Sequence, residues 1–152
     1  MALREVLPAS VGVVGDCVRP AGKSGEGRPV SAARLVAAVR DGLPLGELEA
    51  LRRSLDVPME RLAPRLGISK ATLHRRKRSG RLEPLESDRV LRFARLLGRA
   101  VDVLESEAGA RQWLNSPQVG LGGAVPLDYA ETEVGAREVE DLLVRIELGV
   151  YS

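Results

Sequence analysis

Residues 58–78 read PMERLAPRLGISKATLHRRKR and carry the clearest structural signal in the chain. A helix-turn-helix needs a small residue where its two helices cross and a glycine in the tight turn between them. Ala63 is the small residue, and Gly67 follows four positions later, where a left-handed backbone conformation costs least. Ser69 then predicts the start of the second helix, because its side-chain oxygen can cap free backbone N–H groups. The stretch therefore predicts a helix-turn-helix with structural roles for Ala63 and Gly67.

The second helix of this motif is strongly basic and is a candidate recognition helix. Its first residues would meet base edges or phosphates in the major groove, and an arginine fork can pair with O6 and N7 of guanine. The cations that follow would mainly contact phosphates, which makes binding sensitive to salt. The predicted DNA-binding residues are Ser69, Lys70, Thr72, Arg75, Arg76, Lys77 and Arg78. The alternative is a solvated basic helix in an ordinary helical bundle, since degenerate copies of the motif are retained as packing modules.

The rest of the chain after residue 30 also reads as helix. No segment alternates with the period of two that a half-buried strand requires, so the predicted fold class is all-α. Helix starts are predicted at Ser31, Pro44, Pro58, Ser69 and Ser87, and Pro64 predicts a kink or an early end in the first motif helix. We expect a helix-turn-helix bundle over residues 30–86, a small helical domain over 87–152, and a flexible glycine-rich segment over 1–29.

Composition excludes most enzyme chemistries. The chain has 152 residues, enough for one domain or two small ones, and 44% are hydrophobic, so a core can form. The chain has one cysteine, Cys17, so it cannot form an internal disulfide or a cysteine-based zinc site. It has one histidine, His74, which is too few for a histidine metal cluster and argues against a histidine-based triad. The chain contains no run of about 18 or more apolar residues, so no segment is predicted to span a membrane. We therefore predict a cytoplasmic, non-enzymatic protein without metal or cofactor, and we expect His74 on the surface.

Charge is unevenly distributed, and this indicates two kinds of partner. Residues 58–82 carry eight Lys or Arg against one Glu, whereas residues 112–152 carry two Arg against seven acidic residues. The basic segment suits a polyanion such as DNA. The acidic end suits a protein surface or the basic surface of the chain itself.

The C-terminal third contains a second set of motifs. Trp113 is the only tryptophan and is predicted to fill the core between the long helix and the last helix. Pro126 follows two glycines in a predicted sharp reversal. In order, the motifs are Trp113-Leu114, Leu121-Gly122-Gly123, Pro126-Leu127-Asp128 and Arg145-Ile146-Glu147-Leu148-Gly149-Val150. Together with residues 69–77, this order resembles the Xre/MbcA/ParS antitoxin family over about residues 43–152. Residues 129–131 depart from it, because the family more often has leucines there.

The resemblance implies a function. It implies an Xre-like helix-turn-helix, a toxin-binding domain, and a partner toxin of the RES type that consumes NAD. It also implies that the antitoxin covers the toxin's NAD pocket with its C-terminal end, here Gly149, Val150, Tyr151 and Ser152. An aromatic ring and a free carboxylate suit a nucleotide pocket, whereas the alternative is a frayed terminus.

The resemblance further implies a homodimer within a larger complex that represses its own promoter. Two recognition helices can then read half-sites about one DNA turn apart. A second hypothesis stays open on the residues alone. It is a stand-alone helix-turn-helix repressor whose C-terminal domain dimerises or senses a ligand.

Overall fold

The computed structural model describes residues 12–18 and 31–150, and within these ranges the protein is all-α, as predicted. A 3₁₀ turn covers Val119–Leu121, and an isolated antiparallel bridge joins Pro44 to Arg81. The α-helices of the described ranges are α1 (Val13–Val18), α2 (Ala32–Asp41), α3 (Leu45–Leu55), α4 (Met59–Arg65), α5 (Lys70–Ser79), α6 (Pro84–Leu104), α7 (Glu107–Leu114), α8 (Pro126–Tyr129) and α9 (Glu133–Glu147). None of the helices in these ranges is both long enough and apolar enough to cross a membrane.

Side-chain caps fix several helix starts. The Ser31 and Ser69 hydroxyls accept hydrogen bonds from the backbone N–H groups of Arg34 and Thr72, so both predicted caps are confirmed. The predicted cap at Ser87 is wrong. Helix α6 starts three residues earlier, at Pro84, because proline suits the first turn and a preceding glutamate caps it.

Ser87 has a different role. Its side chain is completely buried inside α6, where the hydroxyl accepts a hydrogen bond from the Leu43 N–H at 2.8 Å and donates one to the Glu83 carbonyl. A buried hydroxyl with both partners satisfied stabilises the fold instead of starting a helix. It ties the segment between α2 and α3 to α6.

Helix α6 is the centre of the molecule. It packs against α1, α2, α3, α7 and α9, and its buried residues include Phe93, which is 1% exposed. The core is otherwise mainly aliphatic and runs continuously from Val14 to Leu143. Trp113 is only half-buried at the edge of the core, whereas its neighbour Leu114 is fully buried, so the tryptophan does not fill the core as predicted. The predicted domain boundary between residues 86 and 87 lies inside α6.

Residues 12–18 differ from the prediction of a flexible N-terminal segment. Helix α1 lies across α3 and α6, with Val14 fully buried. The Glu47 carboxylate accepts hydrogen bonds from the Val13 and Val14 N–H groups at 3.0 and 2.9 Å, which satisfies the free end of this short helix. A Cβ at Gly98 would collide with the Cys17 carbonyl, so the glycine inside α6 allows α1 to approach closely. The rest of the predicted flexible segment, residues 1–11 and 19–29, lies outside the described residues.

Candidate functional site

The helix-turn-helix is formed by α4, a tight turn and α5. Ala63 is buried, and Gly67 has a φ of +71°, the left-handed conformation that the sequence predicts. The Ile68 N–H donates to the Ala63 carbonyl at 2.9 Å and closes the turn. Helix α4 is only seven residues long and contains Pro64 near its end, which matches the expected early stop.

A residue of α6 clamps this turn from outside the motif. The Arg89 guanidinium donates a hydrogen bond to the Leu66 carbonyl at 3.1 Å. A Cβ at Gly67 would displace the same guanidinium, and the φ of +71° favours glycine at this position. The turn is therefore fixed against the central helix and not only by contacts within the motif.

Helix α5 has an inner and an outer face. With 3.6 residues per turn, Thr72, Leu73 and Arg76 lie on one side, and these are its half-buried residues. No residue of α5 is fully buried. The remaining positions are exposed, and the cations among them are Lys70, Arg75, Lys77 and Arg78. His74 is exposed on the same helix, as expected. The outer face is therefore a continuous basic surface.

The predicted residues at the start of α5 form a local network. The Ser69 hydroxyl accepts from the Thr72 N–H at 3.2 Å and donates to the Thr72 hydroxyl at 3.0 Å. The Arg75 guanidinium donates to the same Thr72 oxygen at 3.2 Å. Ser69 and Thr72 thus position the exposed side chain of Arg75, whereas Thr72 itself belongs to the half-buried inner face.

Arg76 differs from the other six predicted DNA-binding residues. Its Nε lies 2.8 Å from Glu86 Oε1 and its Nη2 lies 3.2 Å from Glu86 Oε2, a bidentate pair. The two side chains are 15% and 11% exposed. Since the guanidinium fork is occupied and points to α6, Arg76 is not presented on the outer face of α5.

Glu86 is a functional candidate that the sequence analysis missed. Its carboxylate also accepts a hydrogen bond from the Glu83 N–H at 2.9 Å, which completes a capping box at the start of α6. Burial raises the pKa of this carboxyl, but the hydrogen bonds from Arg76 and Glu83 and the charge of Arg76 outweigh burial, so the pKa lies below its ordinary value. The spacing of Glu83 and Glu86 around Pro84 was the signal that could have revealed the cap.

The second candidate site is the C-terminal end of α9. Gly149 has a φ of +73°, and its N–H donates to the Ile146 carbonyl at 3.1 Å. The Val150 N–H donates to the Arg145 carbonyl at 2.8 Å. These two bonds form a Schellman cap, so Gly149 and Val150 have a fixed direction relative to α9. Tyr151 and Ser152, the other two predicted toxin-binding residues, lie outside the described residues.

Exposed apolar side chains lie next to this cap. Val144, Leu148 and Val150 are 37%, 71% and 56% exposed, which is unusual for three large apolar residues within seven positions. We call these three residues the apolar end of α9. The solvent-facing side of the same helix is acidic, with exposed residues Glu133, Glu138, Glu140, Asp141 and Glu147. An apolar centre with a charged surround is typical of a protein-binding surface.

Helix α6 separates the two candidate sites. Glu86 near its start holds the basic helix α5, and Arg99 near its end pairs with Glu147 of α9 at 2.7 Å. Thirteen residues of α-helix separate Glu86 from Arg99, about 20 Å at 1.5 Å per residue. A nucleic acid and a protein could therefore be bound at opposite ends of one rigid element.

The loop between α7 and α8 is closed by its own hydrogen bonds. The Gln118 backbone pairs with Ala124 and Gly123 at 3.0 and 2.9 Å, and its side-chain amide donates to the Trp113 carbonyl at 2.9 Å. Pro126 is buried in the first turn of α8, a position that suits proline. These contacts therefore fix the conformation of the chain between α7 and α8.

Two models of known protein families match this chain, and the boundary between the two matches falls within α6. A model of the antitoxin Xre-like helix-turn-helix domain matches residues 34–95. A model of the antitoxin Xre/MbcA/ParS C-terminal toxin-binding domain matches residues 99–149. The first match contains α5, the second contains α9, and the two meet inside α6.

Three curated proteins are similar to most of the chain. A protein named Antitoxin Xre from Yersinia enterocolitica is 36% identical over 120 residues, which cover 78% of this chain and 81% of that protein. Another Antitoxin Xre, from Photorhabdus laumondii, is 32% identical over 124 residues, or 80% of this chain and 84% of that protein. A protein named Prs ADP-ribosylating antitoxin, from a Sphingobium species, is 28% identical over 130 residues, or 77% and 80% of the two chains.

Proposed function

This chain belongs to the Xre/MbcA/ParS family of type II antitoxins, and on that premise we propose that it neutralises a RES-type toxin that consumes NAD. Membership confirms the resemblance drawn from the motifs, whereas the type of toxin is our proposal. We propose that residues 149–152 cover the toxin's NAD pocket. The chain acts by occupying a surface of its partner and performs no reaction itself.

The capped end of α9 is the observation that carries this proposal. Its Schellman cap gives Gly149 and Val150 a fixed direction, and the apolar end of α9 offers side chains whose burial would contribute affinity. Preorganised backbone lowers the entropic cost of binding, so an end that is fixed as far as Val150 inserts more favourably than a frayed one.

Co-expression with the toxin tests this proposal. Deletion of residues 149–152 should leave the complex intact, because the remaining domain surface still binds, but should abolish protection of the cells. Full protection by the truncated chain would contradict coverage of the pocket by this end.

A pair of substitutions gives a matched control for the truncation. Val150 and Val134 are both exposed valines, at opposite ends of the α9 region. Val150→Asp should weaken toxin inhibition at least tenfold, since one buried charge costs more than about 1.4 kcal/mol. Val134→Asp should leave inhibition unchanged. Equal effects would place the contact elsewhere on the domain.

We also propose that α5 binds operator DNA in the promoter of the chain's own gene and represses it. The exposed cations Lys70, Arg75, Lys77 and Arg78 support this, together with the exposed N-terminal end of α5, which favours a phosphate. Arg76 is left out of the contact set because it is paired with Glu86.

DNA binding is tested with Arg75→Ala and with Arg34→Ala, an exposed arginine of α2, as the control. Loss of Arg75 should weaken operator binding by about 1–3 kcal/mol if it contacts guanine. An equal loss on random DNA would identify it as a phosphate contact. If wild-type protein binds both DNAs alike, operator recognition is refuted.

Assembly and location complete the proposal. We propose a homodimer within the toxin–antitoxin complex, acting in the cytoplasm where the operator is found. The alternative of a stand-alone repressor predicts specific DNA binding without any toxin in the complex, and mass analysis of the co-purified complex distinguishes the two.

A further inference from the structure

Helix α5 is held to the protein by few side chains. None of its residues is fully buried, and its half-buried inner face consists of Thr72, Leu73 and Arg76. Leu73 packs against the core, but an apolar contact is non-directional and tolerates rotation of a helix about its axis. A bidentate arginine–carboxylate pair, in contrast, fixes orientation as well as distance.

The two ends of α5 are fixed by backbone contacts. At its start the turn through Gly67 is clamped by Arg89, and at its end the Gly80 carbonyl accepts a hydrogen bond from the Leu45 N–H at 3.0 Å. These contacts determine where α5 lies. Between them, the bidentate pair of Arg76 with Glu86 joins the middle of α5 to the first turn of α6.

Glu86 is itself held rigidly. Oε1 accepts from both Arg76 Nε and the Glu83 N–H, and Oε2 accepts from Arg76 Nη2. Glu83 also pairs with Arg76 but less closely, because its Oε1 lies 3.5 Å from Arg76 Nη2 and its side chain is 68% exposed. The carboxylate of Glu86 therefore links the capped first turn of α6 to the middle of α5.

We propose that Glu86 is a specificity-determining positioning residue for DNA recognition: through Arg76 it sets the rotation of α5, so that Arg75 meets base edges in a single register. This inference rests on the proposed DNA binding by α5. Glu86 itself would contact no DNA, because it lies buried in α6 and faces the inner side of α5.

The proposal has a signature that a purely stabilising pair would not give. Without its partner, Arg76 becomes an additional mobile cation on a basic helix. Affinity for random DNA should then stay constant or rise, because it depends on the number of phosphate contacts. Affinity for the operator should fall, because base contacts need fixed geometry. A pair that only stabilised the fold would lower both affinities together.

The experiment compares operator and random DNA of equal length at one salt concentration, with full-length wild type, Glu86→Gln and Arg76→Lys. The lysine keeps the charge but loses the fork, so both variants should lower the ratio of operator to random affinity on the order of tenfold. Glu49→Gln, which removes the half-buried pair of Glu49 with Arg52 in α3, is the matched control and should leave the ratio unchanged.

Hydrogen exchange provides a second measurement that needs no DNA. The amides of residues 73–79 should exchange faster in both variants than in wild type. If Glu86→Gln perturbs folding through the cap of α6, Arg76→Lys still tests the proposal, because it leaves the capping box intact.

An unchanged affinity ratio, or an equal loss on both DNAs, would overturn the proposal. If wild type does not distinguish the operator from random DNA, the proposed operator binding fails instead. In that case unchanged exchange in α5 would refute the positioning role separately.

Discussion

Arg65 in α4 and Asp128 in α8 form an ion pair that joins the helix-turn-helix to the C-terminal region. Arg65 Nε and Nη2 lie 2.8 and 2.7 Å from the same oxygen, Asp128 Oδ1. The arginine side chain is 9% exposed, the aspartate 55%, and Arg65 Nη1 is buried without a hydrogen-bond partner. The pair therefore relieves part of the cost of a buried cation and links two regions that match separate family models.

We expect Asp128→Ala to destabilise the protein by about 1–3 kcal/mol, because it leaves further buried donors of Arg65 unsatisfied. Denaturant unfolding followed by circular dichroism measures this. Arg137→Ala removes the exposed pair of Arg137 with Glu133 and should cost less than about 1 kcal/mol. Similar losses for both substitutions would show that Arg65 finds another acceptor.

The two matched regions should unfold together. One hydrophobic core extends from Val14 to Leu143, and α6 contributes to both regions. We expect a single calorimetric transition whose calorimetric and van't Hoff enthalpies agree. Fluorescence of Trp113, which reports on the C-terminal region alone, should give the same midpoint as far-UV circular dichroism. Separate midpoints would contradict a shared core.

Local signals predicted most of this fold. The caps at Ser31 and Ser69 and the turn at Gly67 each depend on neighbouring residues, and the sequence shows them directly. Long-range relationships were not predictable in this way. The pairing of Arg76 with Glu86 requires knowledge of how α5 crosses α6, and a basic run alone does not distinguish an outward from an inward arginine.

Helix α1 illustrates the same limit of local reasoning. Composition predicted a flexible segment there, because residues 1–29 are rich in Gly, Ala, Pro and Ser. A helix of six residues is also unstable in isolation. The helix exists because Glu47 caps it and Gly98 leaves room for it, and both residues are remote in sequence.

Gly98→Ala should displace α1 from α6, because the new methyl group would collide with the Cys17 carbonyl. Burial raises the pKa of the Cys17 thiol, so labelling by a thiol reagent should be slow in wild type and faster in the variant. Gly46→Ala is the control. A Cβ at Gly46 meets nothing within 4 Å, so this helix substitution should be neutral or stabilising by up to about 1 kcal/mol. Unchanged labelling in Gly98→Ala would mean that α1 does not dock as described.

The contribution of Glu86 to stability should depend on pH. Its pKa is lowered in the folded protein, so folding favours the ionised carboxylate. This stabilisation is fully present above the ordinary glutamate pKa of about 4.3 and is lost as the pH falls through the lowered value. We expect the difference in unfolding free energy between wild type and Glu86→Gln to be constant near neutral pH and to shrink below about pH 4. A difference that persists unchanged at the lowest pH where the protein folds would exclude this account.

Operator binding and toxin inhibition should be impaired independently, because the two proposed surfaces lie at opposite ends of α6. Two helix-ending glycines allow a matched test. Gly80 ends α5 with a φ of +74° and Gly149 ends α9 with a φ of +73°, and a Cβ at either position meets nothing within 4 Å. Alanine at each should therefore cost a similar amount, about 1 kcal/mol, through backbone strain alone.

Gly149→Ala should loosen the cap that directs Val150 and weaken toxin inhibition while operator binding is retained. Gly80→Ala should weaken operator binding while inhibition is retained, because the loosened helix end lies on the DNA side. If either substitution impaired both activities equally, the separation of the two binding surfaces along α6 would be wrong.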